Sequence, residues 1–173
     1  MSIHIISCGS QSPLGTWTSM SAANVRAGLA RVSEHPDYQD AQWSPIGVAM
    51  AEYLDPGMPN LLRFLKLGIN ALYETLKPVV EQNIQLGSLP LLIGIPSKRE
   101  GLHEDLETRF LEEINRVEKE HKLQFFVEFI PDDHVSGLLA IKEAKRRLDN
   151  GETEFCIAGG IESYINNSTL AWL

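Results

Sequence analysis

Asp132-Asp133-His134, just ahead of a helix-like stretch, are the side chains in this sequence best placed to do chemistry. Two carboxylates and an imidazole are metal-ligand types, although consecutive residues seldom converge on one ion. The same residues also read as a helix-capping turn in which Asp133 or Ser136 bonds the first free amides. An imidazole there faces the positive end of the helix, which acts against an imidazolium and favours a neutral ring able to accept a proton. The three readings stay open together.

Other chemistry has less support. His4 starts a strand-like run, while His35, His103 and His121 fall in loops or charged helices, with no H-E-x-x-H spacing among them. Ser12 and Ser163 belong to no G-x-S-x-G pattern. Gly159-Gly160 is not part of a G-x-G-x-x-G or G-K-[ST] loop, so no nucleotide cofactor is expected. Cys8 and Cys156 both sit in apolar runs and read as small buried hydrophobes rather than metal ligands or a disulfide. Lys142, Lys145, Arg146 and Arg147 cluster on one helix-like stretch, as a solvated face or as a docking site for an acidic partner.

The elements that must position these residues alternate strand and helix. Gly137 to Leu148 places Leu138, Ile141, Ala144 and Leu148 at helical spacing, and Asn150-Gly151 ends that helix. Phe155 to Ala158 then reads as a short strand buried on both faces and closed by Gly159-Gly160. Earlier, Ile3 to Ser7 is a short strand-like run, and Ser12-Pro13-Leu14-Gly15 turns into a helix over about residues 16–30. His35 to Ser44 reads as a surface loop and Pro45 to Ala51 as a short strand. Pro59 suits the first turn of a long helix to about Val80, with Leu61, Leu62, Leu65, Ile69, Leu72 and Leu76 as its core stripe. Arg63 on that helix reads as a packing or surface residue rather than a ligand contact. Leu89 to Ile95 has the pattern of a central parallel strand, residues 101–122 that of a helix with a charged outer face, and Leu123 to Ile130 that of another strand.

Composition narrows the function classes. With 43% hydrophobic and 22% charged residues, the 173-residue chain is suited to one globular core, and no linker divides it. A net charge of −8 opposes general nucleic-acid binding, which needs a basic face, and opposes an anionic membrane surface for the same reason. No run of about 18 apolar residues could span a bilayer, and MSIHIISCGS lacks the basic flank and long apolar core of a signal peptide. A cytoplasmic location is expected.

A helix followed by N-G-E, a hydrophobic strand and A-G-G-I-E-S resembles the thiolase-like condensing enzymes, most closely the N-terminal half of the β-ketoacyl synthases, the 3-oxoacyl-acyl-carrier-protein synthase family. The opening strand with S-P-L-G and the stretch LLRFLKLGINALYETL resemble that family more loosely. The resemblance implies an α/β fold: the N-terminal half of a thiolase-like fold, a mostly parallel sheet covered by helices on both faces. Residues 1–173 would form one such domain, with the C-terminal half of the fold absent and the chain a fragment. Counted back from Gly151-Glu152 without gaps, the family's nucleophilic cysteine falls on His134, with HVSGLLAI in place of CSSSLVAL. An acyl-imidazole hydrolyses readily, so the chain is expected to be a divergent synthase-like acyltransferase of fatty-acid or polyketide biosynthesis, inactive in condensation. The alternative is a non-catalytic chain-length-factor-like subunit that binds an acyl chain or a partner synthase. The resemblance further implies acyl carrier protein or acyl-coenzyme A thioesters as partners, met through Lys142, Lys145, Arg146 and Arg147. It also implies a homodimer, or a heterodimer with a condensing enzyme, in which Phe125, Phe126 and Val127 pair across the axis. The competing reading of Phe125, Phe126 and Val127 is an internal strand of one subunit.

Overall fold

An apolar run bounded by turn residues suits a strand covered on both faces, and Leu89 to Ile95 lies at the centre of the main sheet. The structure is a computed structural model and describes residues 2–82, 84 and 87–172. In chain order the elements are α1 (Thr18–Arg26), β1 (Val32–Gln39), β2 (Pro45–Ala49), α2 (Asn60–Glu81), β3 (Ser88–Ile95), α3 (Leu106–His121), β4 (Gln124–Pro131), α4 (Ser136–Asp149), β5 (Ile157–Gly160) and α5 (Asn167–Trp172). A short 3-10 turn, Asp133–Val135, leads into α4.

The main sheet has the order β4-β3-β5 and is parallel throughout, with Leu91 of β3 opposite both Val127 and Ile157. Side chains alternate across a strand, and β3 divides them between two cores. Leu89, Leu91, Ile93 and Ile95 meet Phe64, Leu72 and Leu76 of α2 and Phe110, Ile114 and Val117 of α3. Leu92 faces the other way, onto Ala140 and Ala144 of α4. Arg63 is buried on α2 and donates from Nη2 to the carbonyls of Asp55 (2.9 Å) and Pro56 (3.2 Å), which ties the incoming loop to the helix. Pro59 stands one residue ahead of α2, not inside its first turn.

The architecture corrects the expected one. Instead of one mostly parallel sheet, the described residues form a three-stranded parallel sheet and a separate antiparallel pair, β1 with β2. Residues 3–7 form no strand, and Ile5 and Ile6 are exposed because no neighbour pairs with them. The expected loop at His35 to Ser44 is half strand: β1 runs to Gln39, and its polar composition reflects a strand with only His35 buried. β5 begins at Ile157 and contains Gly159 and Gly160 rather than ending before them. Cys8 is exposed, contrary to its apolar surroundings in sequence, while Cys156 is half-buried.

α4 also presents a different face from the one its leucines suggest. Its buried residues are Ser136, Ala140 and Ala144, whereas Leu138 and Ile141 are 68% and 54% exposed. Close approach of backbones selects the small side. A Cβ on Gly94 would lie 2.4 Å from the Ser136 carbonyl carbon, and one on Gly160 would lie 2.7 Å from Gly137 Cα. Glycine and alanine allow that contact where leucine would prevent it.

Candidate functional site

Loops that follow parallel strands gather at the carboxyl end of the sheet, where open α/β folds usually hold their sites. Three converge here. The loop after β3 carries Ser97 and Arg99, the turn after β4 carries Asp133 and His134, and the segment after β5 carries Glu162, Ser163 and Tyr164.

Arg99 is the hub. Its side chain is 1% exposed and is bound by the Glu162 carboxylate through both terminal nitrogens, with Nη1 to Oε2 at 3.1 Å. Nη2 also donates to the Ser163 carbonyl at 3.3 Å, and Asp133 Oδ1 lies 3.9 Å from Nη1. The guanidinium lies over the Tyr164 ring, 4.5 Å from its centroid, where the face of the ring attracts a cation. Burial works to lower the Arg99 pKa, but the bonds to Glu162 outweigh it and hold the guanidinium above its ordinary value. Tyr164 is also pushed up, by burial first and then by the Glu162 charge, so its phenol keeps its proton at neutral pH.

That phenol meets His134, with Tyr164 Oη 2.5 Å from His134 Nδ1. Phenol and imidazole share one hydrogen bond, whose donor is set by the imidazole tautomer. The contact lies on an exposed surface.

The capping reading of the turn is corrected by its hydrogen bonds. Asp133, at φ +40°, accepts from the Ser97 amide at 2.9 Å, and Ser136 donates its hydroxyl to the Asp133 carbonyl at 2.8 Å. Neither side chain caps α4. The turn is stitched to the β3 loop instead. Metal ligation lacks a constellation, since no three His, Cys, Asp or Glu groups converge among the described residues.

The basic cluster is largely engaged locally. Lys145 pairs with Asp149, Arg146 with Glu143 and Glu152, and Arg147 with Glu143 and Glu128. Glu143, held by Arg146 and Arg147, has its pKa drawn down to about 2. Lys142 is exposed on the outer side of α4 with Leu138 and Ile141. The dimer-strand residues separate by face: Phe125 is buried in the main core, Phe126 is 60% exposed, and Val127 is half-buried against the core. β4 is an edge of the sheet.

Sequence reasoning placed His134 at the head of α4 but missed Arg99 and Tyr164. They lie far from it along the chain, in loops with no motif of their own. Glu162 was within the A-G-G-I-E-S stretch, though its partner was not evident.

No family model and no curated protein matches the chain. Among solved structures it is similar to the complex AntDE:AntF (apo), described as a type II polyketide synthase acyl-carrier protein in complex with its ketosynthase bound to the hexaketide. The TM-score is 0.65 at 16% identity, over 96% of this chain and 47% of the matched one, so the chain spans about half the length of the structure it matches. At that identity the likeness carries the fold alone. It corrects the expectations drawn from resemblance: assignment to the thiolase-like condensing enzymes, and with it a β-ketoacyl synthase-like or chain-length-factor-like function, is withdrawn. No helix among the described residues is long and apolar enough to cross a membrane.

Proposed function

We propose that the chain is a partner protein in acyl-carrier-dependent assembly of the polyketide type, acting by docking an acyl-carrier protein on the outer face of α4. The observation that carries this reading is the exposed apolar strip beside His134: Val135 at 47%, Leu138 at 68% and Ile141 at 54% exposure. Lys142 is exposed on the same helix. An apolar centre edged by a lysine is the chemistry that receives an acidic, amphipathic helix. The solved complex described above, in which an acyl-carrier protein is held by a partner, supports the direction of this reading.

A carrier role fits less well. Covalent loading needs an exposed nucleophile in a built turn. Ser136 is 4% exposed and its hydroxyl is bonded to Asp133, burial raises the Cys156 thiol pKa, and exposed Cys8 belongs to no helix or strand. His134 Nδ1 is taken up by Tyr164.

Calorimetric titration with a purified type II polyketide acyl-carrier protein tests the proposal. Saturable binding that falls at least tenfold in Leu138→Asp and in Ile141→Asp is expected, with the intact mass of the chain unchanged after incubation with acyl-coenzyme A. Absence of binding by the unaltered chain, or an acyl adduct on it, overturns the reading.

A further inference from the structure

Residues 8–26 are knitted together but sparsely joined to the rest of the fold. Ser12 and Gly15 exchange backbone hydrogen bonds at 3.0 Å, and Gln11 Nε2 donates to the Thr16 carbonyl at 2.6 Å. Asn24 Nδ2 donates to the Leu14 carbonyl at 2.5 Å, and the Ser12 and Ser21 hydroxyls meet at 2.8 Å. These bonds lock the turn at Ser12 to Gly15 onto α1. Outward, the bonding narrows to one side chain. Among the described residues, the hydrogen bonds that tie this unit to the chain beyond residue 31 end on Glu74 of α2: the Ser10 amide donates to Oε2 at 2.9 Å and the Thr18 amide to Oε1 at 2.8 Å. Thr18 opens α1, so the carboxylate satisfies an amide that the helix itself cannot.

Packing does not take the place of those bonds. α1 buries none of its residues, and the unit bridges two hollows instead of filling them. Gly9, Ser10 and Gln11 wall a cavity of about 260 Å³ opposite Leu72, Phe110, Ile114 and Ile157. Gln11, Thr16 and Trp17 wall a second hollow of about 660 Å³ beside Tyr73. At its other end the unit leads into residues 27–31, all exposed, where Gly28 stands at φ +74° and Arg31 at φ +49°. Positive φ, at a glycine and at a residue that seldom adopts it, marks where the chain turns between α1 and β1. Arg31 is fixed on the far side of that turn by Glu52, at 3.0 Å.

We propose that residues 8–26 are a hinged strap, a preformed unit latched to α2 by the Glu74 carboxylate. It swings about residues 27–31 with its internal bonds intact and uncovers the cavity lined by Ile114. The outer face of α4 takes no part, so the strap does not depend on carrier docking.

Native-state hydrogen exchange of the full chain and of Glu74→Gln tests it. The neutral side chain keeps the shape but offers one acceptor oxygen to two amides, its other terminal atom being a donor. The Ser10 and Thr18 amides should exchange at least tenfold faster in the variant, since bonds to a charged group are the stronger kind. A rigid swing leaves the Gly15 and Ser21 amides bonded to Ser12 and Trp17, so these should change by less than about twofold. Uncovering is read with a thiol. In a Cys8→Ala, Cys156→Ala background checked for native circular dichroism, the thiol of Ile114→Cys should react with dithionitrobenzoate at least fivefold faster once Glu74→Gln is added. That of Val117→Cys, buried on the same helix but outside the cavity lining, should not. The proposal is overturned if Ser10 and Thr18 keep their rates in Glu74→Gln, if Gly15 and Ser21 accelerate with them, or if the two thiols respond alike.

Discussion

A guanidinium that is 1% exposed and meets two carboxylates and an aromatic face organises three loops at once. Removing one member of such a pair leaves the other charge poorly solvated, which is costlier than the pair itself is favourable. Arg99→Ala should therefore destabilise the chain by about 3 kcal/mol. That figure is the lower end of the range for breaking a buried pair, because Glu162 keeps 29% exposure and part of its hydration. Arg99→Lys should recover less than half of the loss, since an ammonium cannot bind both carboxylate oxygens in a planar fork or stack on Tyr164. Urea unfolding midpoints measure both variants. A loss below about 1 kcal/mol for Arg99→Ala would show that the loops are held by other contacts. None of this was legible in sequence: Arg99 sits in S-K-R-E-G, a stretch that reads as surface loop, and its partners come from the other end of the chain.

Among the elements, α2, α3, β3 and β4 were legible because their apolar residues follow a single period over many positions. The α4 face was not. Leu138 and Ile141 dominate any hydrophobic count, yet the helix is seated by Gly137, Ala140 and Ala144, whose contribution is closeness rather than apolar area. The unpaired run at residues 3–7 shows the converse, since strand propensity without a neighbouring strand does not make a strand. The seating of α4 gives a sharp contrast within the sheet. A methyl on Gly94 would press into the Ser136 and Gly137 backbone at 2.4 to 2.6 Å, and backbone there cannot swing aside as a side chain would. Gly94→Ala should cost about 3 kcal/mol, at the upper end of ordinary overpacking. Gly159→Ala meets nothing within 4 Å and should stay within about 1 kcal/mol of the parent. Thermal denaturation of the pair decides the matter, and equal effects would mean that α4 is not seated on these backbones.

Across the whole molecule, stability is unevenly distributed. The larger core joins α2 and α3 to β3 and β4, with no buried member from α1, β1 or β2. α1 buries none of its residues, β1 only His35 and β2 only Val48. A two-stranded ribbon is marginal on its own in water, and little apolar area is lost to solvent when this one separates. Opening the segment from Thr18 to Ala49 should therefore require much less free energy than unfolding the parallel sheet, and the two should exchange their amide protons as separate units. Native-state hydrogen exchange should find the β1 and β2 amides at least tenfold less protected than those of Leu91, Leu92 and Ile93, a gap of about 1.4 kcal/mol or more. Mild denaturant should leave the ribbon rates nearly unchanged, because local opening exposes little surface, and should accelerate the β3 amides steeply, because they exchange only through global unfolding. If both sets rise together, the ribbon and the parallel sheet unfold as one cooperative body, and the ribbon draws its stability from contacts with the rest of the chain.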